Sequence, residues 1–143
     1  MLCVATVPLT SRPAPREPFV LLVDDHEPSL RKLQVLLESV GYHCVSSTIA
    51  PDALRFCDGR RPSLVVTDLS MPDLDGLGLT NGLKSRYPDL PVLLITGEDF
   101  DAVTQTGLHR TFAGIFKKPL EVEPFLALVG RLLPPQGFHS RLS

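Results

Sequence analysis

An apolar run that ends in two adjacent carboxylates constrains this chain more than any other feature of its sequence. Five apolar residues, from Phe19 to Val23, lead directly into Asp24 and Asp25. An uninterrupted apolar run is typical of a parallel strand that is covered on both faces. Ligands of open parallel sheets bind outside the carboxyl ends of the strands. The pattern therefore places both acids where a site forms.

The same pattern occurs twice more, and helical segments lie between the repeats. One apolar run ends at Asp68, and another ends at Thr96. Strands that alternate with helices imply crossover connections and a parallel sheet. We predict strands over 19–24, 43–47, 64–67, 92–95 and 113–117. We predict helices over 28–40, 50–58, 76–87, 100–110 and 122–133.

This alternation predicts the class of fold. Five strand–helix units in about 115 residues fit a flavodoxin-like (βα)5 fold, an α/β three-layer sandwich whose parallel sheet has the order 2-1-3-4-5. In that order the chain changes direction between strands 1 and 3. Asp24, Asp25 and Asp68 then meet at this switch point, and Thr96 lies at the end of the next strand.

The rest of the sequence predicts one domain with two short extensions. Residues 9–18 hold three prolines and no periodicity, so we predict a disordered arm over 1–18, a domain over 19–133 and a tail over 134–143.

The net charge of −2 argues against nucleic acid or an anionic membrane as a partner held by bulk charge. No apolar run approaches the roughly 20 residues that span a bilayer, and the cysteines lack metal-site spacing, so we expect a cytoplasmic protein.

The polar residues at the strand ends predict a cation site. At about 4 Å and an effective dielectric constant of about 20, each carboxylate pair costs about 4 kcal/mol, so either the pKa values rise or a cation neutralises the charge. Oxygen ligands favour Mg²⁺, with Mn²⁺ as an alternative, and the backbone carbonyl of Ser70 could add a further oxygen. Lys118 follows strand 5 and can reach toward Asp68. Taken alone, each of these residues is more often a helix cap, a turn residue or a solvated lysine.

Four short motifs occur in order at the strand ends. They are Val-Asp-Asp at 23–25, Val-Thr-Asp-Leu-Ser-Met-Pro-Asp-Leu-Asp-Gly at 66–76, Ile-Thr-Gly at 95–97 and Lys-Lys-Pro at 117–119. Any one of them is a weak signal, but together they resemble the receiver domain of two-component response regulators (CheY-like). The resemblance covers residues 19–133.

The resemblance implies a role for each site residue. Asp68 would be the phosphoacceptor, Thr96 would follow the phosphoryl group, and Lys118 would pair with it. Asp25 would bind Mg²⁺ directly and Asp24 mainly through a water molecule, while Asp68 and the Ser70 carbonyl complete the metal ligands. The resemblance also implies a cis peptide bond between Lys118 and Pro119.

These roles predict a stand-alone receiver that accepts a phosphoryl group from a sensor histidine kinase or a histidine phosphotransfer protein and then switches its contacts with a downstream protein target. It would be a signalling module rather than an enzyme, and a monomer or a weak phosphorylation-dependent homodimer. One alternative is a pseudo-receiver that is never phosphorylated and acts by protein contact alone. Another is a haloacid-dehalogenase-type phosphatase, but that class needs a second acid where Ser70 stands.

The sequence departs from the receiver pattern near strand 5. Receivers usually carry an aromatic residue three positions before the lysine, where this chain has Ile115. Phe116 follows, but neighbouring residues of a strand face opposite ways, so it cannot take over that place. The predicted helix over 100–110 is also weak, because it contains two threonines and Gly107. We therefore expect an output face, around this helix and strand 5, that is either mobile or specialised.

Overall fold

A five-stranded parallel sheet forms the centre of the molecule. The computed structural model describes residues 18–71, 74–97 and 110–133. The strands are β1 (Val20–Val23), β2 (Cys44–Ser47), β3 (Leu64–Asp68), β4 (Val92–Thr96) and β5 (Gly114–Lys117). Within the described ranges the helices are α1 (Glu27–Ser39), α2 (Ala50–Phe56), α3 (Gly76–Arg86) and α4 (Val122–Leu132).

The order of the strands in the sheet is β2-β1-β3-β4-β5, and every neighbouring pair is parallel. In β1, Val23 lies opposite Ser47 on one side and opposite Thr67 on the other. In β3, Asp68 lies opposite Ile95 of β4. The predicted flavodoxin-like order is confirmed, and the carboxyl ends of β1 and β3 are neighbours.

Helices cover both faces of the sheet, so that the apolar side chains form two cores. Helices α2 and α3 pack on one face, and α1 and α4 pack on the other. Each fully buried large apolar side chain stabilises the fold by about 1.5–3 kcal/mol. On the first face the core includes Leu21, Val23, Phe56, Val65, Leu79, Leu83 and Leu94. On the second it includes Val20, Leu22, Leu37, Leu64, Val66, Leu93 and Phe125. Burial on both faces explains the uninterrupted apolar runs of the strands.

The ends of α1 follow from local sequence signals. The Nδ1 atom of His26 accepts the backbone N–H of Ser29 at 3.3 Å, so His26 is the N-cap. Pro28 lies in the first turn, where its missing N–H costs nothing. After the helix, Gly41 has a φ of 102°, a left-handed conformation that glycine adopts without strain. These signals position the start of α1 immediately after the Asp24–Asp25 pair.

Within residues 18–71, 74–97 and 110–133, the observed elements differ from the predicted ones only at their ends. β1 does not include Phe19 or Asp24, because the pairing with both neighbours covers Val20 to Val23 only. β3 instead extends one residue further than predicted, because Asp68 pairs with β4. β4 likewise includes Thr96, β5 begins at Gly114, and the helices end one or two residues early.

Several predicted segments lie outside the described residues. They are residues 1–17 of the predicted arm, the tail over 134–143, and all but the last residue of the predicted helix over 100–110. The structure of these three segments stays a prediction. Among the residues that are described, no helix is both long and apolar enough to cross a bilayer.

Ile115 and Phe116, where the sequence departs from the receiver pattern, face opposite sides of the sheet, as expected for neighbouring residues of a strand. Ile115 packs against the core on the α2 and α3 face. Phe116 lies on the other face, where its ring meets that of Phe125 edge-on at 5.4 Å. Phe116 therefore packs against α4 and does not replace an aromatic residue at position 115.

Candidate functional site

Three carboxylates converge at the carboxyl edge of the sheet. Asp24 and Asp25 follow β1, and Asp68 is the last residue of the neighbouring strand β3. One oxygen from each of the three lies within 4.8 Å of the others. Asp24 is buried, Asp68 is half-buried and Asp25 is exposed. The order of the strands therefore brings together three acids that two separate segments of the chain supply.

Backbone amides hold two of these carboxylates in place. The Oδ1 atom of Asp24 accepts the N–H of His26 at 2.9 Å. The Oδ1 atom of Asp68 accepts the N–H of Leu69 at 2.8 Å. Each carboxylate is thus fixed through one oxygen, and its other oxygen is directed elsewhere.

The ammonium group of Lys118 lies between the same two carboxylates. It is 3.3 Å from Oδ2 of Asp24 and 3.4 Å from Oδ2 of Asp68. The three side chains are largely enclosed, with 30% of Lys118, 11% of Asp24 and 12% of Asp68 exposed. Partial burial weakens solvent screening, so these contacts count for more than a surface ion pair.

The burial and the charges of the site shift two pKa values. Burial raises the pKa of Asp68, and the nearby charge of Asp24 raises it further, while Lys118 and the Leu69 amide oppose them. For Lys118, burial lowers the pKa, but the charges of Asp24 and Asp68 outweigh it and the pKa is raised overall. The lysine therefore stays charged, and Asp68 ionises at a higher pH than an ordinary aspartate.

The strand ends also position Thr96 and Lys118. Thr96 is buried at the end of β4, one residue after Ile95, the partner of Asp68. The backbone N–H of Lys118 donates to the carbonyl of Thr96 at 2.8 Å. The peptide bond between Lys118 and Pro119 is cis, which confirms that prediction. Ser70 lies in the loop after β3 and is exposed.

One feature that the sequence did not predict is how closely the first residue of α3 approaches the backbone at the end of β3, where Asp68 lies. A Cβ atom on Gly76 would lie 2.1 Å from the carbonyl oxygen of Asp68. The N–H of Gly76 also donates to the carbonyl of Leu69 at 2.8 Å. Asp75 caps α3, because its Oδ1 accepts the N–H of Gly78 at 2.8 Å. The signal was present as Asp-Gly at the end of the second motif.

The residues at this edge fit a hard divalent cation. The converging ligand atoms are all carboxylate oxygens, the donors that Mg²⁺ and Mn²⁺ prefer. His26 borders the site, but its Nδ1 atom caps α1. The site thus matches the cation that the sequence predicts.

The strand order and the converging acids define a receiver domain of the kind used in two-component signalling. The family model for the response regulator receiver domain matches residues 20–129. This chain therefore belongs to the response regulator receiver domain family, in which phosphorylation and Mg²⁺ binding are characteristic.

Individual proteins agree with this assignment. The chain is 31% identical over 127 residues to the probable transcriptional regulatory protein TcrX of Mycobacterium tuberculosis, covering 88% of this chain and 54% of TcrX. It is 31% identical over 115 residues to the DNA-binding transcriptional regulator NtrC of Proteus hauseri, covering 80% of this chain and 24% of NtrC. The crystal structure of the receiver domain of NtrX from Brucella abortus superposes with a TM-score of 0.73 at 27% identity, covering 80% of this chain and 97% of that domain. The chain thus spans about half the length of TcrX and about a quarter of the length of NtrC. It covers nearly all of the isolated receiver domain of NtrX.

Proposed function

We propose that this receiver accepts a phosphoryl group on Asp68 in a Mg²⁺-dependent reaction and thereby switches its protein contacts. The observation that supports this most is the placement of Asp68 beside two further acids, with the Lys118 ammonium 3.4 Å from its Oδ2 atom. A nucleophilic carboxylate needs nearby positive charge that also stabilises the oxygens of the group being transferred. Lys118 supplies one such charge.

The reaction would begin with attack by a carboxylate oxygen of Asp68 on the phosphorus atom of a phosphohistidine. The phosphorus–nitrogen bond breaks, the imidazole nitrogen keeps the electron pair, and Asp68 becomes an acyl phosphate. Water later attacks the same phosphorus atom. The bond between phosphorus and the Asp68 oxygen then breaks, which restores the carboxylate, and a proton passes to solvent. The domain would therefore catalyse its own modification rather than a metabolic reaction.

The chain's own residues would divide the remaining tasks. A Mg²⁺ ion, when bound, would be held by Asp25, Asp68, the Ser70 carbonyl and, through water, Asp24, and it neutralises charge on the phosphoryl oxygens. Lys118 would pair with one phosphoryl oxygen. The hydroxyl of Thr96 would donate to another.

New contacts of this kind carry enough free energy to switch a protein. A charge-assisted hydrogen bond contributes about 1.5–3 kcal/mol, so Thr96 and Lys118 together would contribute about 3–6 kcal/mol. Moving a two-state equilibrium from 1:99 to 99:1 takes about 5.5 kcal/mol. The upper end of this range is enough for such a switch, provided that both contacts form only in the phosphorylated state.

We propose that the phosphodonor docks on the outward face of α1. This helix begins two residues after Asp25, so a protein bound there is next to the acids. The face carries a groove with mostly apolar walls, bordered by Arg31 and Lys32. Val35 lies in this groove with 52% of its surface exposed. Receivers interact with histidine kinases, and a sensor histidine kinase or a histidine phosphotransfer protein is the donor that we propose.

The output would act through contact with a downstream protein. The two curated relatives described above are much longer than this chain, and both are transcriptional regulators by name. That this chain acts as a stand-alone, cytoplasmic receiver that binds neither nucleic acid nor a membrane therefore stays a prediction, as does a monomer or weak homodimer.

The test is phosphorylation by a small donor. The full chain is incubated with Mg²⁺ and acetyl phosphate, and its intact mass is measured for the wild type, Asp68→Asn and Asp89→Asn. Asp89 is an exposed acid before β4, at the opposite edge of the sheet. We expect a mass increase of about 80 Da, that of one phosphoryl group, in the wild type and Asp89→Asn but not in Asp68→Asn.

The adduct should also fail to form when EDTA removes the metal ion before the donor is added. An adduct that persists in Asp68→Asn would contradict the assignment of the phosphoacceptor. A wild type that gains no mass, and whose amide NMR spectrum does not respond to beryllofluoride, would instead support a pseudo-receiver that acts by protein contact alone.

A further inference from the structure

The apolar groove on α1 continues to the end of that helix. Its lining residues lie along one side of the helix, from Glu27 through Val35 to Ser39. Val40, the C-cap of α1, directly follows them and is 37% exposed. Exposed apolar surface of this kind is commonly covered by a partner. The groove therefore opens toward the amino edge of the sheet, where β1 begins.

The chain enters β1 beside this end of the groove. The N–H of Val20 donates to the carbonyl of His43 at 2.8 Å. The N–H of Tyr42, one residue earlier, donates to the carbonyl of Leu37 in α1 at 3.1 Å. The start of β1 is thus connected through one short turn to the last turn of α1. The residues that precede β1 therefore leave the fold close to Ser39.

The sequence before β1 consists of an apolar segment and a proline-rich tether. Residues 1–9 include seven apolar side chains and no charged one, and residues 10–18 hold three prolines. Nine residues of proline-rich chain span up to about 28 Å, at about 3.1 Å each. A helix as long as α1, with 13 residues, measures about 20 Å. The tether is therefore long enough to place residues 1–9 anywhere along the groove.

The charges of the tether are complementary to the end of α1. The last turn of this helix contains Glu38 and no basic residue, and the carboxyl end of a helix carries a partial negative charge. The tether contains Arg12 and Arg16 and has to pass this end to reach the groove. Residues 1–9, which have no charged side chain, suit the apolar walls beyond it.

We propose that residues 1–9 dock in the groove of α1 and compete there with the phosphodonor. The competition rests on the proposed function, whereas the docking itself does not require phosphorylation. A short tether gives an effective concentration of about 1 mM. A dissociation constant of about 0.3 mM for the free segment would then suffice to cover the groove about three quarters of the time and to weaken donor binding about fourfold.

The test is paramagnetic relaxation in the full chain from a nitroxide attached to Cys3. Cys44 and Cys57 are buried, so one label per chain is expected, which the intact mass checks. With the segment docked, the amide NMR signals of Lys32 and Val35 should weaken most. The same signals should shift when residues 2–9 are deleted, a comparison that needs no label.

Two variants of similar exposure provide the control. Val35→Glu places a charge in the groove and should abolish the weakening at Lys32. Ile49→Glu places the same charge on a side chain that is 49% exposed, before α2 on the other face of the sheet, and should leave the weakening unchanged. Signals that weaken most around Phe19, alike in the wild type and both variants, would overturn the proposal.

A mixed sample distinguishes the chain's own segment from that of a second copy. Spin-labelled chains without isotope label are added to isotope-labelled chains without nitroxide. Weakening at Lys32 in this mixture would show that a neighbouring copy supplies the segment, which would overturn docking within one chain. A groove that ignores both the nitroxide and the deletion, but responds to a histidine kinase, would belong to the phosphodonor alone and would also overturn it.

Deletion of residues 2–9 tests the competition. The shortened chain should accept the phosphoryl group from a histidine kinase, at subsaturating concentration, about fourfold faster, with an unchanged rate from acetyl phosphate. An unchanged rate with the kinase would refute the competition. Val35→Glu cannot replace the deletion here, because it alters the groove for both occupants.

The mass measurement on the wild type keeps docking separable from the proposed function. If the phosphoryl adduct forms while the nitroxide detects no docking, the docking is refuted and the phosphoacceptor stands. If docking is detected while no adduct forms, the docking stands and phosphorylation at Asp68 is refuted.

Discussion

Replacing Gly76 with alanine tests how closely the first turn of α3 must approach the end of β3, where Asp68 lies. The added Cβ atom would lie 2.1 Å from the carbonyl oxygen of Asp68 and 3.0 Å from both its carbonyl carbon and the Cα atom of Leu69. All three neighbours are backbone atoms, so no flexible side chain can move aside. Ordinary contact begins at 3.4 Å, so helix and loop must separate by about 1.3 Å.

The expected cost follows from three contributions. Overpacking of this kind costs about 1–3 kcal/mol. The separation also weakens the 2.8 Å hydrogen bond from Gly76 to Leu69, which is worth about 1 kcal/mol. Alanine is the better helix former and recovers at most about 1 kcal/mol. Gly76→Ala should therefore lower the free energy of unfolding by about 2 kcal/mol, or the melting temperature by about 8 °C for a domain of this size.

Gly130 provides the matched control for this substitution. It lies inside α4, and a Cβ atom there would meet nothing within 4 Å. Gly130→Ala should therefore raise the free energy of unfolding by about 0.4–1 kcal/mol, because alanine restricts the unfolded chain. Both variants are compared with the wild type by urea denaturation at pH 7, followed by circular dichroism at 222 nm.

The same pair of variants connects packing to function. Gly76→Ala should slow the proposed phosphorylation of Asp68 by acetyl phosphate, because the added Cβ atom displaces the backbone of Asp68 and of the loop that follows it, whereas Gly130→Ala should not. If Gly76→Ala proves as stable as Gly130→Ala, the steric reasoning is wrong. If it is destabilised but reacts at the wild-type rate, the position of the loop does not control Asp68.

Three further predictions concern other parts of the molecule. Burial raises the pKa of Cys44 and Cys57 to about 12. A Cys3→Ser variant should therefore react with Ellman's reagent at pH 8 only after unfolding. Rapid reaction without urea would contradict this. Val35→Glu should slow phosphotransfer from histidine kinases about tenfold or more without changing the rate with acetyl phosphate. An equal loss of rate with both donors would argue against a docking role for Val35. Burial raises the pKa of Asp68, so ionisation at neutral pH costs the folded state free energy, and this free energy is regained as the pH falls toward about 4, the ordinary pKa of an aspartate. In EDTA, Asp68→Asn should therefore have a higher melting temperature than the wild type at pH 7, and this difference should vanish toward pH 4. A melting temperature below that of the wild type at pH 7 would refute the argument.

The fold could be predicted because its strands are buried on both faces. Double burial forces uninterrupted apolar runs, and these runs give the number and the parallel arrangement of the strands without any knowledge of the contacts. The strand ends were less certain, because they depend on the neighbouring strand. Asp68 belongs to β3 only because β4 pairs with it, and Phe19 lies outside β1 although it is as apolar as the residues that follow.

The composition of the site was also predictable, whereas its internal geometry was not. Acids at the ends of neighbouring parallel strands must meet, so the convergence of Asp24, Asp25 and Asp68 followed from the strand order alone. That Lys118 contacts Asp24 as closely as Asp68 did not follow, because 94 residues separate the two and only side-chain geometry decides it. The approach of Gly76 to the Asp68 carbonyl was missed for the same reason.

The two features that the sequence did not predict are the contact of Lys118 with Asp24 and the close approach of Gly76. Both concern the immediate surroundings of Asp68. Three converging acids disfavour the folded state, and this cost has to be offset by donors. The amides of His26 and Leu69 offset part of it permanently, since each is fixed by the backbone. Lys118 offsets a further part through a side chain of which 30% is exposed. Under the proposed function this charge would pair with the phosphoryl group after transfer, whereas the two backbone amides stay with the acids. We therefore expect substitutions at Lys118 to alter phosphorylation of Asp68 more than the stability of the fold.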